Sequence, residues 1–236
     1  GLGILTLRTF RGIVTGPWEW GLISYQMEML GVKSFSIVLI TAVFIGMVVA
    51  LQTAYALQAF NAKLYVGEVV TLSMVRELAP VLISLMVGGR VGAGITAEIG
   101  SMKVTEQIDA LRAMGANPVQ KLVIPRFLAF LVMLPALVLI ADALGMIGGW
   151  VISTFQLQIA GRFYLSHAFR LLHFSDVLSG LGKTFVFAGM ITLIACYNGM
   201  RTEGGADGVG RATTSTVVLA SIVILISNFF LTNIRT

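Results

Sequence analysis

Arg76 and Glu77 lie within LYVGEVVTLSMVRELAPVLISLMVGGRVGAGITA, an apolar run beginning at Leu64. Ionised side chains in such a segment are costly, and they face a cavity, a partner or the interface. Adjacent residues do not face each other on a helix, so the two neutralise one another only where the backbone is irregular. Pro80 supplies a reason for irregularity: it has no amide hydrogen, so in a helix the Arg76 carbonyl loses its donor. A broken or re-entrant helix is expected around 76–80. On the other reading, both residues mark the outer end of a short span and snorkel to water.

A second cluster fills the polar island AEIGSMKVTEQIDALRAMGANPVQK, Ala97 to Lys121, with Glu98, Lys103, Glu106, Asp109, Arg112 and Lys121. With Thr105 as N-cap, Glu106 and Asp109 fall at the positive end of a short helix and Arg112 near its negative end. Gly115 is suited to end it, and Pro118 comes three residues later. Val104, Ile108, Leu111 and Gly115 share one face, leaving Glu106, Asp109 and Arg112 exposed. Such a helix is either a solvated loop or a handle offered to a partner.

Other residues invite chemistry and do not support it. Gly182-Lys183-Thr184 looks like the end of a phosphate-binding loop, but the glycine that such a loop requires is Val177 here and the region is apolar. The glycines at 204 to 210 lack the strand and helix of a nucleotide site, so no ATP hydrolysis is expected of this chain. His167 and His173 are too poorly accompanied to bind metal. Cys196, the single cysteine, excludes an intrachain disulfide. Asp142 is expected to bond within a helix bundle. Arg90 and Glu98 share a helix face eight apart, and direct pairing would need a bend or another group.

The elements that must position these residues are membrane helices. The chain is 57% hydrophobic and only 11% charged, with a mean hydropathy of +0.91, which places it among integral membrane proteins. A net charge of +5 raises the question of nucleic acid, but the basic residues are dispersed at the ends of apolar runs, where they orient spans. No nucleic-acid partner is expected. The chain opens at Gly1 without an initiator Met, so residues ahead of it are expected, and no cleavable signal peptide is read from Gly1 onward.

Residues 1–33, with Trp18, Trp20 and Tyr25 around Pro17, read as a helix lying in the interface. Spans are expected at 34–60, 64–97 (broken near 76–80), 122–155, 177–198 and 215–234. Between them come the polar island at 98–121, an interfacial segment at 156–176 and a glycine-rich loop at 199–214. With the amino end inside, nine loop Lys and Arg from Arg8 to Arg211 face the cytoplasm, against Lys63, Arg162, Arg170, Lys183 and Arg235 outside. The island and the glycine loop then lie in the cytoplasm. Gly88 with Gly92 and Gly145 with Gly149 form small-xxx-small pairs that permit close helix packing. Gln52, Tyr55 and Phe60 sit near the outer end of the first span, placed either to line a cavity or to pack. No internal repeat is evident, which disfavours an inverted-repeat transporter.

Asp109-Ala-Leu-Arg-Ala-Met-Gly115-Ala-Asn-Pro118, followed by Ile124 and Pro125, resembles the Glu-Ala-Ala loop of ABC importer permeases, with Asp for Glu and Leu for the second Ala. A closer resemblance covers nearly the whole chain. VFIGMVVALQ (from Val43), LSMVRELAPVL (from Leu72), GRVGAGITAEIGSMKVTEQIDAL (from Gly89) and GVGRATTSTVV (from Gly208) are similar to the MlaE/YrbE family of lipid-transport ABC permeases. The resemblance implies an all-α homodimeric permease of the bacterial inner membrane. It also implies two cytoplasmic ATPase subunits that bind ATP and Mg, often a small STAS-domain protein, and a periplasmic MCE-domain ring that carries lipid. It further implies that Arg76 and Glu77 lie by the lipid cavity, and that the helix matching Thr105 to Gly115 meets the ATPase. Arg76 is then suited to a lipid phosphate, with Glu77 holding it or controlling a gate. An ion-gradient-driven transporter or channel using Arg76, Glu77 and Asp142, and a non-transporting scaffold, are the competing expectations; neither accounts for the Asp109 to Pro125 pattern. Lipid headgroup, direction and stoichiometry are not set by the sequence.

Overall fold

A computed structural model describes residues 1–16, 18–60 and 62–233. Pro17, Asn61 and 234–236 lie outside the described residues, and with them the Ile234 end of the last expected span and the Arg235 member of the outer basic set. Among the described residues the chain is all helical, and five helical stretches are long and apolar enough to cross a membrane.

The expected single interfacial helix at 1–33 is two helices, α1 (Leu2–Thr15) and α2 (Trp20–Leu30). A 3₁₀ turn at Val32–Ser34 joins α2 to α3 (Phe35–Gln58). On α3 the buried residues are Val38, Ala42, Gly46, Ala50 and Ala54. A spacing of four puts them on one stripe, and all but Val38 are Ala or Gly, so a neighbouring backbone can come close.

The second hydrophobic region is not broken. α4 (Val66–Ser73) runs into α5 (Ala79–Val104) through a π turn at Met74–Leu78. There the Ala79 amide donates to the Met74 carbonyl, five residues back. A second π turn, Val119–Val123, leads into α7 (Ile124–Phe155) in the same way, with the Ile124 amide on the Val119 carbonyl. Each π turn is followed, after one intervening residue, by a proline, Pro80 or Pro125. The wider turn makes room for a ring that would strike the carbonyl four residues earlier, so the helix bulges where a break was expected. The buried residues Val66, Val70 and Met74, then Ala79, Ile83, Val87, Val91, Ile95 and Ile99, step by four with one step of five across the first π turn.

This row also carries α5 to Val104, beyond the expected end at 97, so the first third of the polar island is helix. Short α6 (Gln107–Ala113) comes next. α8 (Gly161–Ala168) lies in the segment between α7 and α9 (Phe174–Met200). The glycine-rich stretch expected to be a loop is mostly helical, because α10 runs from Gly205 to Asn233. Gly208 is required there: a Cβ would lie 1.8 Å from the Glu203 carbonyl oxygen.

The chain forms two compact units. One comprises Gly1–Lys33, Ser84–Leu134 and the chain from Phe185. In it Thr96 donates to the Ala195 carbonyl at 3.1 Å, and its oxygen lies 2.9 Å from that of Thr216, which accepts from Asn198 Nδ2 at 2.9 Å. These bonds tie α5, α9 and α10 together. Gly88 faces Ile191, where a Cβ would approach to 2.7 Å, and Gly92 faces Ile191 and Thr216.

The other unit comprises Ser34–Ile83 and Pro135–Thr184. Here α3 and α7 touch backbone to backbone. A Cβ on Gly46 would lie 1.9 Å from the Gly145 oxygen, and one on Gly148 would lie 2.3 Å from the Val43 oxygen. Gly149 makes room for the Tyr164 hydroxyl. α8 docks on α4 through His167 Nδ1, 2.8 Å from Glu68 Oε1, with Phe163 stacked on the imidazole at 4.1 Å.

Candidate functional site

Two arrangements carry polar chemistry, one in each unit. The first is built on the π turn at Met74–Leu78 and the start of α9. Arg76 and Glu77 are adjacent and do not pair; each reaches a different residue of α9. Arg76 Nε and Nη2 donate to Asp176 Oδ1 at 3.1 and 3.0 Å. Asp176 Oδ2 accepts the His173 amide at 3.1 Å. Lys183 Nζ donates to Glu77 Oε1 at 2.6 Å and to the Arg76 carbonyl at 3.2 Å. That carbonyl is the one Pro80 leaves without a helical donor.

The burial is asymmetric. The side chains of Asp176 and Lys183 are 2% and 4% exposed, whereas those of Arg76 and Glu77 are 45% and 40% exposed. Each buried charge therefore holds one half-exposed opposite charge, as low-dielectric surroundings require. Asp176 also lies in the first turn of α9, where the helix dipole favours a carboxylate. A guanidinium has five donors. Two nitrogens of Arg76 are committed to Asp176, and the rest of its fork stays available to an anion.

The sequence singles out Arg76 and Glu77 as charges in an apolar run but not their partners Asp176 and Lys183. The signal was present: the two are seven apart, on one face of a helix, and of opposite charge. Gln52, Tyr55 and Phe60 are all exposed, Tyr55 at 67% and Phe60 at 80%; the first two lie on α3 and the third just past it. Asp142 of α7 is buried, and its Oδ1 finds no hydrogen-bond partner among the described residues. Glu98 pairs with buried Arg126 of α7 at 2.7 Å.

The second arrangement is the α6 region. Its N-cap is Glu106, in the left-handed conformation at φ +60°, and not Thr105. The Thr105 hydroxyl donates back to the Ser101 carbonyl at 2.8 Å and so closes α5. Ile108 is fully buried and Leu111 half-buried, while Glu106, Asp109 and Arg112 face outward. Asp109 accepts from Lys103 at 2.8 Å and from Arg112 at 2.7 Å. The Lys103 hydrogen bond above all, with Arg112 adding to it, holds the Asp109 carboxyl below its ordinary range. Gly115 has φ +78°, which ends the helix in a conformation natural to glycine. Lys121 pairs with Glu19, anchoring the second π turn to the N-cap of α2. The result is a short outward-facing helix, fixed from beneath by Ile108.

Similarity to known proteins extends over most of the chain. Residues 23–234 match the model of a family described as Permease MlaE. A probable ABC transporter permease protein of Rickettsia typhi is 44% identical over 236 residues, covering 99% of this chain and 91% of its own. The intermembrane phospholipid transport system permease protein MlaE of Haemophilus influenzae is 39% identical over 210 residues, 89% of this chain and 80% of its own. The chloroplastic protein trigalactosyldiacylglycerol 1 of Arabidopsis thaliana is 36% identical over 221 residues, 94% of this chain and 63% of its own.

Proposed function

The chain belongs to the MlaE family of ABC transporter permeases, and from that membership we propose that it moves phospholipid between the bacterial inner membrane and a periplasmic MCE-domain carrier. Energy comes from a separate cytoplasmic ATPase that binds ATP and Mg; this chain contributes no catalytic group. It works as a homodimer, and a STAS-domain protein is a further candidate subunit of the complex. Asp109 and Arg112, presented by α6 between Glu106 and Gly115, meet the ATPase, and Arg76 meets the lipid phosphate.

The observation that carries the reading is the half-exposed guanidinium of Arg76, held on the buried carboxylate of Asp176. A fixed fork with donors to spare recognises a phosphodiester, and burial of its counterion keeps it from collapsing onto the nearest surface carboxylate. Glu77, held by Lys183, stands beside it as a second fixed charge. Exposed apolar side chains on α3, among them Ile40, Phe44 and Val48, suit contact with acyl chains or a second copy.

The test is reconstitution of the permease with its ATPase in vesicles that contain labelled phospholipid. ATP-dependent lipid movement, lost on Arg76→Ala with ATPase binding retained, is the expected result. Movement that responds to a proton or sodium gradient without ATP would replace this reading with a gradient-driven transporter.

A further inference from the structure

In the unit that contains α2 and most of α5, a cavity of about 350 Å³ opens between these two helices. Its polar wall comes from Tyr25 and Gln26 of α2, Lys33 just beyond it, and Arg90 and Glu98 of α5. It shares no residue with the Arg76 cluster or with α6.

Glu98 is already neutralised by Arg126, whose Nη1 donates in addition to the Leu122 carbonyl at 2.7 Å. Lys33 makes its hydrogen bond to the thioether of Met29 at 2.8 Å. Thioether sulfur is a weak acceptor, and an ammonium exchanges it readily for an anionic oxygen. Arg90 brings a second cation to the facing wall. The excess of the cavity is therefore positive.

Two further features fit a ligand. Gln26, only 7% exposed, contributes a side-chain amide to the cavity wall. Gly94 also faces the cavity, and a Cβ there would meet nothing within 4 Å. The remaining lining is apolar, Leu30 and Ile95 included, which suits the glycerol and upper acyl region next to a headgroup.

We propose that this cavity binds a phosphate group, presented by an anionic glycerophospholipid of the surrounding bilayer. It is a lipid site separate from the one assigned to Arg76, and it stands whether or not Arg76 handles the transported lipid.

The test uses the full chain in bilayer discs of phosphatidylglycerol and phosphatidylcholine, with lipid retained after gentle extraction counted by native mass spectrometry. Preferential retention of phosphatidylglycerol is expected, reduced about tenfold in Lys33→Gln/Arg90→Gln, in line with the loss of charge-assisted hydrogen bonds. Gly94→Leu, which fills the cavity without meeting a protein atom at its Cβ, removes the preference at an unchanged melting temperature. Arg76→Ala leaves the preference intact, so a failure at either site is read separately. Amine-reactive labelling of Lys33 in the unsubstituted protein distinguishes the source of the phosphate. Protection by phosphatidylglycerol alone assigns the site to the headgroup, and protection by millimolar inorganic phosphate assigns it to the free anion. Equal retention in the folded variants, or labelling of Lys33 unaffected by both, overturns the proposal.

Discussion

The ammonium of Lys183 donates to the carbonyl of Arg76 at 3.2 Å and so stands in for the amide that Pro80 lacks. The same ammonium neutralises Glu77. A backbone vacancy made by a proline and an ion pair between two membrane helices are thus served by one side chain.

Lys183→Met strips both bonds at once. It should lower unfolding stability in detergent by about 1–3 kcal/mol, the cost of leaving a carboxylate and a carbonyl without their donor. In a Pro80→Ala background the loss should be smaller, because the alanine restores an amide four residues after the Arg76 carbonyl. Equal costs in the two backgrounds would show that the carbonyl contact contributes nothing.

Asp176 acts through Arg76. Asp176→Asn removes the charge that holds the guanidinium and should weaken phospholipid retention about tenfold, in line with the loss of one charge-assisted contact. Arg76→Lys should not preserve retention, since an ammonium does not reproduce the paired Nε and Nη2 contact on Oδ1. Retention by Asp176→Asn equal to that of the parent protein would mean that Arg76 is positioned by something else.

The α3–α7 contact leaves no room for a side chain at residue 46. Gly46→Leu places a Cβ 1.9 Å from a backbone oxygen, and helices in backbone contact can only separate, at about 3 kcal/mol or more. Phe44→Ala, at a position 61% exposed, should stay within about 0.5 kcal/mol in the same assay.

Exchange of Asp109 and Arg112 keeps their mutual pair on α6 and reverses the charge offered outward. The permease should fold and retain lipid while ATPase association falls by about tenfold. Acid dependence stems from the lowered carboxyl of Asp109. A depressed folded pKa gives a contribution that is present above the ordinary carboxylate range and is lost as pH falls through the lower folded value. Coupling should therefore be flat from neutral pH down into the mildly acid range. A transition centred at neutral pH in coupled ATPase activity, abolished by Asp109→Asn, would contradict this.

Much of the candidate site was legible because charge inside an apolar run is conspicuous, which singled out Arg76, Glu77 and the island. Their partners were not, since Asp176 and Lys183 lie 100 and 106 residues away in sequence and only the packing of α9 brings them in. Pro80 announced an irregular backbone without saying which kind; the choice of a bulge depends on Lys183 and on the buried row that continues through it. The cap of α6 was misplaced by one residue because Thr105 had a competing bond to Ser101. Glycines 204 to 210 read as a loop from their low helix propensity, yet α10 forms through Gly205, Gly208 and Gly210 because it is the first part of a membrane-length helix.

The single step of five in the buried row, from Met74 to Ala79, lies among steps of four. A π turn carries about one residue more per turn than the α-helix around it, so the odd step keeps both halves of the row in line. Residue count in this stretch therefore matters more than residue identity. Many substitutions between Met74 and Ala79 leave the row aligned, whereas deletion of any one residue would swing everything on one side of it out of phase by about 100°. In this part of the sequence, spacing is the trait to follow among relatives: a one-residue gap would mark a different helix, even where every neighbouring letter agrees.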